Sequence, residues 1–233
     1  MKRLAPVACA LLAFSMLPAA SAKPAHPARG AHDWAKTITE TSEGGFRMGN
    51  PDAKVRIVEY GSLTCPHCRH LAETAMGPIV SDYVRTGKAS FEFRTMALNE
   101  LDVAAILLAR CSGPSHFFPL AEKLYATQPE WLNRIQALPD KELQRIGGLP
   151  SAQEFLELAK AARLLPLGAA NGVPESKAKA CITSDAGADK LQQMHDAAMA
   201  AGIQGTPTIL VNDNVVAAND WETLEPYLKD AGG

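Results

Sequence analysis

Charge of one sign is what this sequence most plainly lacks: 23 Lys and Arg residues are scattered among 25 Asp and Glu, for a formal net charge of -2. A polyanion binder gathers its basic side chains on one face, so nothing here points to nucleic acid. Beyond the N-terminus there is also no apolar run of the 18 or so residues that a membrane-spanning helix needs, no internal repeat and no low-complexity tract. Cysteine is scarce, five in 233 residues, and only Cys65 and Cys68 form a CxxC pair. Neither a second CxxC nor a paired His cluster is available to complete a four-ligand zinc site. With 47% hydrophobic residues, the chain reads as a soluble globular domain with room for an insertion.

What is present begins with Lys2 and Arg3 ahead of the apolar run from Leu4 to Leu17, followed by the small residues Ala20-Ser21-Ala22. This pattern predicts a cleaved signal peptide over 1–22 and a periplasmic protein. A membrane anchor would need a longer run, unbroken by Pro6 and Pro18, and Cys9 sits too early for a lipoprotein site. Export leaves Cys65, Cys68, Cys111 and Cys181 in an oxidising compartment. Four cysteines allow three pairings. The nearness of Cys65 and Cys68 pairs them with each other and leaves Cys111 with Cys181, one reactive pair and one structural staple. Residues 23–45, with Pro24, Pro27, Gly30, Gly44 and Gly45 and few large apolar side chains, read as a flexible leader, and ordered structure is expected from about Phe46.

Past the leader, Val55 to Tyr60 is rich in β-branched residues and reads as a strand. Leu71, Ala75 and Ile79 recur at helical spacing, with a kink expected at Pro78. Phe91, Phe93 and Thr95 alternate with Glu92 and Arg94 as a second strand, so strand, motif, helix and strand suggest a parallel pair in an α/β sheet. From about Asn99 to Ala201 the periodicity is helical, too long for one crossover, and is read as a helical subdomain inserted at about 99–185. Ser184 then caps a helix that ends at Gly202, and Thr206-Pro207-Thr208 leads into the strand Ile209-Leu210-Val211. Asn212-Asp213-Asn214 turns the chain, and Asn219 with Glu222 is the expected cap of a C-terminal helix through Trp221, Leu224 and Leu228.

A CxxC between a strand and a helix is a redox signature. Haem attachment would need His directly after the second cysteine, where Arg69 stands. With Thr64 as N-cap, Cys65 falls at the first helical residue, where free N–H groups and the positive end of the helix dipole favour a thiolate. Cys65 is therefore read as the nucleophile and Cys68, one turn on, as the resolving thiol. Pro66 is tolerated in a first turn, and His67 adds polarity beside the sulfur. Glu59 shares a strand face with Val55 and Ile57. It is either a buried acid kept for a purpose or a carboxylate at an exposed strand end.

The run from Met48 to Cys68, MGNPDAKVRIVEYGSLTCPHC, with the later helical stretch and Gly205-Thr206-Pro207-Thr208, resembles the DsbA-like proteins of the thioredoxin superfamily. The resemblance spans about residues 46–230 and implies a thioredoxin-like α/β fold with an inserted helical subdomain. It further implies an exposed nucleophile at Cys65, a buried resolving Cys68, a substrate-binding cis-proline loop at Thr206-Pro207, and a proton relay through Glu59. The implied activity is transfer of the Cys65–Cys68 disulfide to exported proteins by a monomer without cofactor, reoxidised by a DsbB-like, quinone-linked membrane partner. Thr206 departs from the Val of the best-known oxidases and keeps a disulfide isomerase or reductase open. A copper-binding module using Cys65, Cys68 and His70 is the third reading.

Overall fold

The computed structural model of the protein describes residues 32–232, so the expected signal peptide and the first residues of the leader lie outside the described residues. Strands β1 (Ile38–Glu40), β2 (Phe46–Gly49), β3 (Val55–Gly61), β4 (Ala89–Thr95), β5 (Thr208–Val211) and β6 (Asn214–Val216) form one sheet in the order β1-β2-β4-β3-β5-β6. Only β3 and β4 run parallel, Val55 opposite Ala89 through Gly61 opposite Thr95. Helix α1 (Pro66–Pro78) makes the crossover between them. At Pro78, which has no N–H to donate, the α-helical register ends, and Ile79–Val84 continues as a π-helical turn.

Helices α2 (Glu100–Cys111), α3 (Pro114–Ala126), α4 (Gln128–Gln136), α5 (Asp140–Gly147), α6 (Ser151–Ala161), α7 (Leu164–Ala170), α8 (Glu175–Ile182) and α9 (Asp185–Ala200) all lie between β4 and β5. A last helix, α10 (Trp221–Asp230), follows β6. Both faces of β3 are covered, which is why only Arg56 along it is exposed. Val55 and Ile57 join the main core, whereas Val58 and Tyr60 pack with Met96, Ala198 and Ile203 on the other side. Phe117 of α3 joins the insertion to the sheet, stacking on Phe46 at 4.2 Å between ring centroids and approaching Phe93 at 5.8 Å. The Sγ atoms of Cys111, at the end of α2, and Cys181, in α8, are bonded at 2.02 Å.

Three sequence expectations need correction. Ordered structure begins before Phe46: Trp34–Lys36 forms a 3-10 turn, and β1 pairs antiparallel with β2 through Ile38 and Met48. Trp34 and Ile38 anchor what composition presented as leader, Ile38 by packing against the core. Trp34 lies over Gly87, whose φ of +81° and missing side chain make the space, since a Cβ there would sit 2.8 Å from the indole. The N-cap of α1 is Cys65 itself, with Pro66 at the first helical position, so the helix starts one residue later than a Thr64 cap would have it and Cys65 lies at its edge rather than inside it. The cap of α10 is Asp220, not Asn219. Its Oδ1 accepts from Thr223 N at 2.9 Å, and Thr223 Oγ1 returns the contact to the backbone N–H groups of Asn219 and Asp220.

Candidate active site

Parallel β3 delivers the chain to the edge of the core, and Ser62-Leu63-Thr64 turns it into α1 with Cys65 in an extended conformation (φ -76°, ψ 122°). Placing Cys65 at the cap rather than inside the helix aims its sulfur at the unpaired first-turn N–H groups. Hydrogen bonding from the Cys68 side chain is the largest influence holding the Cys65 thiol down at about 5. The Thr206 side chain and the backbone N–H groups of Cys68 and His67 act in the same direction, while burial opposes them. Cys68 is fully buried one turn deeper, and desolvation drives its thiol far above the ordinary range. The two cysteines of one motif thus differ in which protonation state their surroundings accept.

The resemblance implied an exposed Cys65, but the residue is only 6% exposed. The reason is the Thr206-Pro207 loop, whose peptide bond is cis and which lies against the motif, so that the Cys65 thiol donates to Thr206 O at 3.4 Å. Thr206 Oγ1 is buried without another partner and is free to donate to the sulfur once it ionises. Pro66 and the His67 side chain are exposed, so His67 meets the sulfur through its backbone N–H rather than its ring. His70 is likewise exposed, and no group of three or more His, Cys, Asp or Glu side chains among the described residues is placed to hold a metal ion.

Glu59 is 3% exposed, and its Oε1 has no hydrogen-bond partner. Opposite it in the parallel ladder stands Phe93 rather than a cation. Gly61 leaves the room the carboxyl occupies, since a Cβ there would lie 2.8 Å from Glu59 Oε1 and clash with the Phe93 ring. Burial, and secondarily the charge on Cys65, push the Glu59 carboxyl up to about 8. A carboxyl whose pKa rises on folding binds extra protons in the folded state, so it favours folding below its ordinary 4.5 and loses that contribution as pH rises through about 8. Cys65, lowered to about 5, acts with the opposite sign in the dithiol protein, stabilising it progressively from pH 5 toward 9. Oxidation removes the Cys65 titration and, with it, the charge that adds to the Glu59 shift; of the two buried carboxyls raised by desolvation, Glu59 carries the larger shift and Asp102 the smaller. We expect the stability of the disulfide form to fall between pH 4.5 and 8 by on the order of 3 kcal/mol. Urea unfolding at both ends of that range, with Glu59→Leu flattening the slope, checks it.

Sequence reasoning missed three buried polar residues that reach the same loop, Asp102, Tyr125 and Gln128. The sequence offered little signal: Asp102 shares the first turn of α2 with Glu100, where acids are ordinary, and only its burial sets it apart. Burial raises its carboxyl to about 6, against the Ser62 side chain and the N–H groups of Leu98, Thr64 and Leu63, which favour the charged form.

With a CxxC at the start of a helix that follows a parallel strand, and a cis-proline loop against it, the class is defined: the chain belongs to the thioredoxin family, whose model, described as thioredoxin, matches residues 41–230. Within it, the eight-helix stretch between β4 and β5 makes the fold DsbA-like. The crystal structure of a protein-disulfide isomerase from Novosphingobium aromaticivorans is 29% identical with a TM-score of 0.75, covering 80% of this chain and 97% of that one. Wolbachia pipientis alpha-DsbA1 shares the fold at 20% identity and a TM-score of 0.59, over 80% of this chain and 90% of its own. Disulfide bond formation protein D of Bacillus subtilis is 27% identical over 191 residues, 78% of this chain and 76% of that protein. A Rickettsia prowazekii protein provisionally named a protein-disulfide oxidoreductase is 27% identical over 179 residues, and the chain spans 57% of its length.

Proposed function

We propose that the chain is a thiol–disulfide oxidoreductase acting as an oxidase, donating the Cys65–Cys68 disulfide to exported proteins. The observation that carries this is the split between the two thiols, Cys65 favouring the thiolate and Cys68 the protonated form. A client thiolate attacks Cys65 Sγ, the Cys65–Cys68 bond breaks, and its electron pair leaves on Cys68. Below about pH 8 Glu59 holds a proton in the same buried region and can supply it to that sulfur. A second client thiolate then attacks the client sulfur of the mixed disulfide. Cys65 departs as a thiolate that its helix terminus stabilises, so two electrons have passed from client to protein. Backbone pairing of an extended client with the Thr206-Pro207 loop orients the attack.

Stabilising the Cys65 thiolate stabilises the dithiol protein and makes its disulfide the stronger oxidant. The same reading includes a cleaved signal over 1–22, work as a monomer in the periplasm, and return to the disulfide through a DsbB-like, quinone-linked membrane partner. Equilibration with glutathione buffers tests the direction: a potential near about -120 mV is expected, and one near about -270 mV would reverse it to a reductant. Thr206, together with the 29% identical protein-disulfide isomerase of Novosphingobium aromaticivorans, favours isomerase as the second reading. Reshuffling of a scrambled client faster than oxidation of a reduced one would select it.

A further inference from the structure

Turning from β3 into α1, the loop Ser62–Cys65 carries its backbone polar groups into the interior, where each needs a partner. Ser62 O accepts from Tyr125 Oη at 3.1 Å. Leu63 N and Thr64 N both donate to Asp102 Oδ1, at 2.9 and 3.2 Å. Leu63 O and Cys65 O accept from Gln128 Nε2, at 2.7 and 3.0 Å. The second Asp102 oxygen accepts from Leu98 N at 3.0 Å, tying this loop to the segment that enters α2, where Asn99 Nδ2 donates to Thr64 Oγ1. The three partner side chains sit on α2, α3 and the start of α4, and all are buried.

We propose that Asp102, Tyr125 and Gln128 are positioning residues, a polar cradle in the insertion that fixes Cys65 at the start of α1 with its sulfur over the helix N–H groups. This rests on the reading of Cys65 as the attacking sulfur. A carboxylate, a phenol and a carboxamide buried in an apolar subdomain are costly unless fully bonded. Here their hydrogen bonds go chiefly to one four-residue loop, not to neighbouring helices. The geometry explains the use: the N–H groups of His67 and Cys68 serve the sulfur only while Cys65 keeps its extended cap conformation. The Gln128 amide holds both Leu63 O and Cys65 O, the two carbonyls on either side of the turn into the helix.

Gln128→Met keeps the length of the side chain and removes both donors. The thiolate absorption of Cys65, followed against pH in the dithiol protein, is expected to move its midpoint upward by about one unit, a tenfold loss of thiolate affinity. Asp102→Asn is the second variant and its sign is informative. Removing a nearby negative charge would by itself lower the midpoint, whereas freeing the loop raises it. Trp131→Phe deletes the Trp131 Nε1 bond to Leu124 O in the same subdomain without touching the loop, and is expected to lower thermal stability while leaving the midpoint in place. Wild-type midpoints in folded Gln128→Met and Asp102→Asn would overturn the cradle and leave the oxidoreductase reading standing. A wild-type Cys65 that titrates near the ordinary value of about 8.5 would overturn both.

Discussion

Cys65→Ser is expected to reduce disulfide transfer to the uncatalysed background, and Cys68→Ala, which cannot hold the motif disulfide, loses oxidase transfer as well but keeps the Cys65 thiolate. Its attack on a disulfide-bonded client displaces one client thiolate and leaves a mixed disulfide that no second thiol of the motif resolves. The asymmetry comes from the two environments. Cys65 sits at a helix terminus that accepts negative charge and can be reached beside the Thr206-Pro207 loop, while Cys68 is sealed behind it. At pH 6 a thiol with its pKa near 5 is about 300-fold more ionised than one at 8.5, but its lower basicity takes back about 40-fold in nucleophilicity. Attack on a disulfide probe should therefore be only about eightfold faster than by an ordinary thiol. The larger gain lies in departure, since a weakly basic sulfur leaves a mixed disulfide quickly. Non-reducing gels with Cys68→Ala read the adduct through a band shift that added dithiothreitol removes. Adduct formation through Cys68 in the Cys65→Ser protein would reverse the assignment of roles.

Loss of the Cys111–Cys181 bond is expected to cost about 4 kcal/mol of folding stability, the chain entropy regained by opening a loop across 70 residues. Cys111→Ser with Cys181→Ser in one chain, compared with the parent by urea unfolding, checks it, and a loss under about 1 kcal/mol would remove the staple role. The bond ties the far end of α2 to α8, whereas Asp102 at the near end of α2 touches the loop before Cys65. Nine residues of helix, about 13 Å, separate the two ends. Stability should therefore respond more strongly than the Cys65 titration.

Much of the site was legible because its determinants are local. Val55–Gly61, the CxxC and Phe91-Phe93-Thr95 declare strand, turn and strand through residue type and period, and β3 pairs with β4 in parallel. Ser184 caps α9 through Gly187 N, and Asn212 and Asp213 take positive φ in the hairpin turn. Caps were misjudged by one residue where adjacent side chains could both serve, as at Asn219 and Asp220, because a single φ/ψ choice decides between them. Least legible was the support of the loop. Gln128 reaches Leu63 across 65 residues, and no local pattern distinguishes it from any glutamine at the start of a helix. Glu59 was visible as an odd acid, but its isolation was not, since that depends on Phe93 and on the room at Gly61.

One consequence concerns portability. Transplanting Cys65-Pro66-His67-Cys68 into a scaffold without helices α2 to α4 would move the sulfurs and leave behind the side chains that bind Ser62, Leu63, Thr64 and Cys65 by their main chain. Conversely, because those contacts are made to backbone atoms, Leu63 should tolerate exchange among apolar residues of similar size, while deletions in the insertion should not be tolerated. The unit that travels as a module is the loop together with its distant partners, and a search for kindred sites should weigh Asp102 and Gln128 alongside the two cysteines.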